Sequence, residues 1–152
     1  MRKLTLYIFL VLIFFINPSI AGEGLKGVYN FELVIENPKG ELCKVTEQDI
    51  EREVKYVLSN TPIRLKKDIN IEAIYISPTI IKLGDRCSGY IELEIWQGGI
   101  NTSSVGNKYV GKQVSYDQGY IYSAHLSKFK DGYLNAVNKI TKNFVIKWRE
   151  FN

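Results

Sequence analysis

Residues 90–97 read Tyr-Ile-Glu-Leu-Glu-Ile-Trp-Gln, with Ile91, Leu93 and Ile95 falling on one side of an extended chain and Glu92 and Glu94 on the other. A period of two marks a strand with one buried and one wetted face. Its oily side needs a cover, and the end of the chain supplies one. Phe129, Tyr133, Val137, Ile140, Phe144, Trp148 and Phe151 recur at steps of three and four, which lays an aromatic and aliphatic stripe along one face of a long helix. So many rings on one stripe point to core packing.

Upstream, residues 27–35 alternate, with Tyr29, Phe31, Leu33 and Ile35 on one side, and Asn37-Pro38-Lys39-Gly40 breaks the run. Thr46-Glu47-Gln48-Asp49 fits a capping box, in which a hydroxyl and a carboxylate satisfy each other's backbone amides. Ile50, Val54, Val57 and Leu58 follow at helical spacing, with Glu51 and Lys55 placed as an i,i+4 ion pair. The spacing predicts a helix from Thr46 to Ser59, ended by Asn60-Thr61-Pro62, and then a basic loop, Arg64-Leu65-Lys66-Lys67. Residues 69–77 return to period two and are rich in β-branched residues, predicting a strand stopped by Pro78. Thr79 to Leu83 either extends it or pairs with it. Gly98-Gly99 reads as a turn, residues 100–108 as a polar loop, and residues 109–122 as a strand or hairpin with a turn at Asp117-Gln118-Gly119. The resulting expectation is an α+β domain of order β-α-β-β-β-α, an antiparallel sheet of about four strands with both helices on one face. Its other face would present Glu92, Glu94 and Trp96 together with tyrosines of neighbouring strands.

The first 21 residues read as a signal peptide. Arg2 and Lys3 precede an apolar run of 11 residues, Leu6 to Ile16, then Asn17-Pro18 and Ser19-Ile20-Ala21. A spanning helix needs about 20 apolar residues, so the expectation is cleavage after Ala21 and a free, exported domain of residues 22–152 with no membrane span. That leader carries two of the 20 basic residues and none of the 16 acidic ones, so the net charge falls from +4 to +2. Near balance, with one short basic cluster, argues against a nucleic-acid partner. Cys43 and Cys87 are an even pair in an exported chain and are expected to form a disulfide. Neither a Cys-x-x-Cys nor a second histidine is present to build a metal site, and no phosphate-binding glycine loop marks a cofactor.

His125, the only histidine, has Ser123, Ser127, Asp117 and Asp131 near it in sequence. Nucleophilic hydrolysis would need three such groups in register, whereas a lone histidine before a helix more often serves as a cap. Glu92 and Glu94 share a strand side and offer a carboxylate pair for glycoside hydrolysis, or simply a solvated face. Asn101-Thr102-Ser103 is a formal glycosylation sequon in an expected surface loop. Tyrosine combines large contact area with a polar tip, which makes Trp96, Tyr116, Tyr120 and Tyr122 candidate binding residues.

The helix opening on Thr46-Glu47-Gln48-Asp49-Ile50, the strand ending Leu93-Glu94-Ile95-Trp96-Gln97 and the helix closing on Phe144, Trp148, Phe151 and Asn152 resemble a set of uncharacterised small exported bacterial proteins. More distantly, the element order is similar to the N-terminal domain of TolB and like envelope modules. What the resemblance implies is a non-catalytic periplasmic domain that docks another envelope or extracellular protein. The functional expectation is a periplasmic or secreted binding or assembly module; the alternative is a small secreted hydrolase using His125 or Glu92 and Glu94.

Overall fold

The computed structural model describes residues 25–67, 72–102 and 105–152; the expected leader, residues 1–21, and the start of the 69–77 strand lie outside them. Among the described residues the fold is α+β, with five strands and two α-helices: β1 (Asn30–Ile35), α1 (Glu47–Leu58), β2 (Arg64–Leu65), β3 (Glu72–Leu83), β4 (Arg86–Thr102), β5 (Lys108–His125) and α2 (Leu126–Arg149). The sheet order is β2-β1-β3-β4-β5, with β1 parallel to both β2 and β3 and the β3-β4-β5 meander antiparallel. The expected four-stranded antiparallel sheet is therefore corrected to a five-stranded mixed one. Its parallel part arises because α1 carries the chain back across the sheet between β1 and β3, as parallel neighbours require.

Three breakers read from the sequence break nothing. Pro78 sits inside β3, opposite Ile91. The carbonyl of Ile76 accepts from Glu36 N on the β1 side, so by alternation the missing N–H of Pro78 also points that way. There β1 has already ended at Ile35, and no ladder bond is lost. Gly98-Gly99 runs straight through β4, paired with Lys112 and Gly111. Asp117-Gln118-Gly119 is likewise continuous strand, opposite Glu94, Leu93 and Glu92. Asn101 and Thr102 of the sequon belong to the end of β4 rather than to a loop. Arg64-Leu65, expected in a loop, forms β2, because Arg64 N donates to Tyr29 O at 2.7 Å and Lys66 N to Phe31 O at 2.9 Å.

Both helices cover one sheet face. Phe31, Ile74, Ile76, Ile91, Leu93 and Ile95 from the sheet meet Ile50, Val54 and Val57 of α1 and Phe129, Tyr133, Val137, Ile140 and Phe144 of α2 in one core. Gly89 in β4 permits the approach of α2, since a Cβ there would lie 2.6 Å from the Tyr133 ring and 3.0 Å from that of Phe129. The buried Tyr133 hydroxyl donates to Tyr90 O at 2.9 Å, and burial pushes its phenol well up from the ordinary value. At the far end of α2, Trp148 Nε1 donates to Val28 O at 2.6 Å and Asn152 Nδ2 to Leu25 O at 2.8 Å. Cys43, in a short 3-10 turn (Glu41–Cys43), is bonded to Cys87 of β4 with Cα atoms 6.1 Å apart.

The capping box of α1 is present, with Asp49 N donating to Thr46 Oγ1 at 3.2 Å and Thr46 N to Asp49 Oδ2 at 3.1 Å. Its carboxylate also ties the two helices together. Lys130 of α2 lies 2.7 Å from Asp49 and Arg52 2.9 Å. Burial pushes the Asp49 carboxyl up, but its bonds to Lys130 and Thr46 outweigh that and hold it at about 2. A folded-state value below the ordinary one of about 3.9 means that folding favours the ionised form. This contribution is full above about pH 4 and is lost as pH falls through about 2. Asp49→Asn is expected to lower the unfolding free energy by about 1–2 kcal/mol near neutral pH, discounted for solvent screening at the rim. Urea unfolding of the two proteins should show that gap narrowing as acid protonates the wild-type carboxyl.

Candidate functional site

The face of the sheet away from the helices is covered by no helix among the described residues. Since Ile91, Leu93 and Ile95 point into the core, Tyr90, Glu92, Glu94 and Trp96 point out. The register sets Tyr75 and Ala73 of β3 beside Glu94 and Trp96, and Asp117 of β5 on the other flank. A bulge in β5 after Ile95/Trp96 shifts the pairing so that Val114, not Ser115, stands opposite Trp96. The extra residue reverses the inward-outward phase of β5 and brings Lys112 and Val114 onto the outer face.

These side chains hold one another. Tyr75 and Trp96 are stacked with ring centres 3.9 Å apart and planes 14° from parallel. Trp96 Nε1 donates to Glu94 Oε2 at 2.5 Å, and Lys112 Nζ lies 4.5 Å from the indole centre. The Tyr75 hydroxyl donates to Glu36, which also accepts from Ser77 Oγ at 2.9 Å. Those two bonds lower the Glu36 carboxyl, and the reciprocal effect, chiefly the hydrogen bond to Glu36, pushes the Tyr75 phenol up to about 12. Glu94, Trp96, Lys112 and Val114 enclose a shallow hollow of about 240 Å³. Beside this group the Tyr90 ring lies across Gly119, where a Cβ would come 2.7 Å from the ring edge. Burial followed by a hydrogen bond to Glu92 raises the Tyr90 phenol. Ile121 and Val114 leave 71% and 53% of their surface open, so the face is aromatic, aliphatic and acidic at once.

The residues marked by the sequence divide. Trp96, Glu92 and Glu94 lie on this face. Tyr116, Tyr120 and Tyr122 do not, which corrects the expectation that the β5 tyrosines share it: they pack against the core from the helix side. The Tyr116 ring is 5.9 Å from Phe144, the Tyr122 ring 5.9 Å from Phe129, and Lys139 Nζ sits 5.2 Å over Tyr120. Tyr75, Glu36, Tyr90 and Lys112 were not singled out; Tyr75, between Ile74 and Ile76, carried the same alternation signal as Trp96.

His125 is the N-cap of α2. Its Nδ1 accepts from Ser127 N at 3.3 Å and meets Ser127 Oγ at 3.0 Å, while Nε2 lies 3.5 Å from Asp85. Ser127 is thus joined to it by the cap, and the carboxylate beside it is Asp85 rather than Asp117 or Asp131. Both the ring and Asp85 are more than half exposed, a setting in which water weakens every electrostatic effect a base could exert. Glu94 is engaged with Trp96 and Glu92 with Tyr90. Among the described residues no group of His, Cys, Asp and Glu gathers to hold a metal ion, and no helix is long and apolar enough to cross a membrane.

Compared with known proteins, the chain matches no family model and no curated protein. The geometry of the face is what its function has to be read from.

Proposed function

We propose that the chain is an exported, non-catalytic binding module, periplasmic or secreted, that docks a protein on its helix-free sheet face. The observation that carries this reading is the braced Tyr75–Trp96 pair beside exposed Val114, with exposed Ile121 farther along the same face. Rings already locked by Glu36, Glu94 and Lys112 lose little freedom when a partner covers them, which is the property that makes aromatic anchors effective. Export is supported by the apolar leader and by the Cys43–Cys87 bond, a type that persists in oxidising compartments.

The test is capture by the tagged mature protein from the source's envelope and medium, run beside Y75A/W96A and beside Q48A on the exposed side of α1. Loss of two central anchors should weaken partner binding about thirtyfold or more, with Q48A unchanged. A partner held equally by all three proteins sinks the assignment of the face. Purified native material still bearing Met1 sinks export.

A further inference from the structure

Sheet margins are normally blunted by lysine, proline, bulges or short strands, and much of this sheet's margin is treated so. β2 is two residues long and runs into Lys66 and Lys67. Where β3 continues past the end of β1 it carries Pro78, and Cys43 Sγ lies 3.8 Å from its Ile81 carbonyl oxygen. The first half of β5 has Lys108, Lys112 and the bulge. Residues 116–125, Tyr-Asp-Gln-Gly-Tyr-Ile-Tyr-Ser-Ala-His, carry none of these devices, yet β5 ends the sheet among the described residues. Alternation fixes which amides look outward. Ile76 turns its backbone groups to β1, where its carbonyl accepts from Glu36 N, so Leu93 opposite it turns to β5, and Gln118 opposite Leu93 turns back to β4. Asp117, Gly119, Ile121 and Ser123 therefore aim N–H and C=O off the margin. Leu126 N, donating to Asp85 O in the turn before β4, keeps the same phase.

We infer that this margin receives an extended segment of another protein, added as a further strand, with acidic side chains on its helix side. A row of donors and acceptors at strand spacing is completed by an extended backbone, and the flanks select its sequence. On the helix side Tyr120, Tyr122, Gly132, Asn135, Ala136 and Lys139 line a hollow of about 300 Å³. Gly132 lets the Tyr122 ring lie against α2, since a Cβ there would fall 2.1 Å from it. Lys139 and, one turn before Gly132, Lys128 are exposed along this flank, while Asp131, the one acid of α2, is turned about 100° from Gly132. On the outer side Ile121 is 71% open, with Asp117 and Glu92 near it and Arg86 and Lys112 toward the ends, so that side favours apolar residues and neither sign of charge. A second β5 does not fit. Its helix side offers Tyr116, Gln118, Tyr120, Tyr122 and Ala124 without a carboxylate, and its α2 would bring a further Lys128 and Lys139 to the same flank. The contact is separate from the Tyr75–Trp96 pair and does not depend on it.

The probe is a synthetic peptide alternating valine and glutamate, blocked at both ends, beside its valine–lysine counterpart. Each is titrated into the mature protein and followed by amide NMR and hydrogen exchange. The glutamate peptide should bind about tenfold or more tighter than the lysine one and should protect the amides of Gly119, Ile121 and Ser123. Ile121→Pro deletes one outward N–H and leaves the β4 ladder whole; it should weaken binding about tenfold. Lys139→Glu, at an exposed side chain, should abolish or reverse the preference between the peptides. Y75A/W96A should bind the peptide as the wild type does, so failure of this margin and failure of the sheet face are read apart. The inference is overturned if neither peptide binds, if binding spares those three amides or survives Ile121→Pro undiminished, or if the preference is unmoved by Lys139→Glu. Loss of the peptide in Y75A/W96A overturns it by placing the ligand on the sheet face. A wild-type dimer that Ile121→Pro dissolves overturns it by naming a second copy as the occupant.

Discussion

C43A/C87A is expected to be less stable than the wild type by about 4 kcal/mol, the cost of releasing a closed loop of roughly 45 residues in the unfolded chain. Both sulfurs are buried, at 1% exposure, and the bond joins the turn after β1 to the start of β4. Those parts belong to the crossover half and the meander half of the sheet, which also meet through the β1–β3 ladder, the packing of α1 against α2 and the contacts of α2 with β1 and the residues before it. Chemical denaturation of the oxidised wild type and the double variant reads the difference directly. A gap under about 1 kcal/mol would mean that the unfolded chain is compact enough to make the tether redundant. The substitution touches nothing on the sheet face, so binding per folded molecule should be unchanged.

A second large effect is expected at Phe144. Its ring is fully buried, edge-on to Phe31 of β1 at 5.8 Å and tilted toward Tyr116 of β5 at 5.9 Å. It therefore bridges both flanks of the sheet from the C-terminal part of α2. Phe144→Ala removes the ring and leaves a cavity between elements that cannot easily close together, costing about 3–5 kcal/mol. Ile121→Ser, on the open face, should stay within about 0.5 kcal/mol of wild type. Thermal unfolding of the two variants side by side tests the assignment of inside and outside; similar losses in both would show that the open face is covered in solution.

Much of this was legible in the residues, for identifiable reasons. Both helices announced themselves, α1 by a capping box that the structure contains and α2 by a stripe long enough to average out local exceptions. β4 was read from alternation, but its length was not, because Gly98-Gly99 has the composition of a turn and only pairing with β5 keeps it extended. Gly119 misled in the same way; it is a glycine because Tyr90 lies across it, a contact between strands that local sequence does not record. β2 was missed since two residues held by a neighbour's amides and carbonyls have no period of their own. The candidate site suffered most from phase. Tyr116, Tyr120 and Tyr122 alternate with Asp117, Gly119 and Ile121, and neither set is apolar enough to declare which side is wet. Trp96 was placed correctly because its own strand has unambiguous Ile and Leu on the opposite side.

The return of the chain through α1 also bears on the expected order of assembly. The meander and α2 join segments that follow one another along the chain, whereas β1 pairs with β2 and β3 only across the α1 crossover, at longer sequence separation. On contact order alone, the β1–β3 ladder is expected to close later than the meander hairpins. Cys43 lies on the crossover side and Cys87 in the meander, so trapping of free thiols during oxidative refolding is expected to find this bond closing with the later ladder.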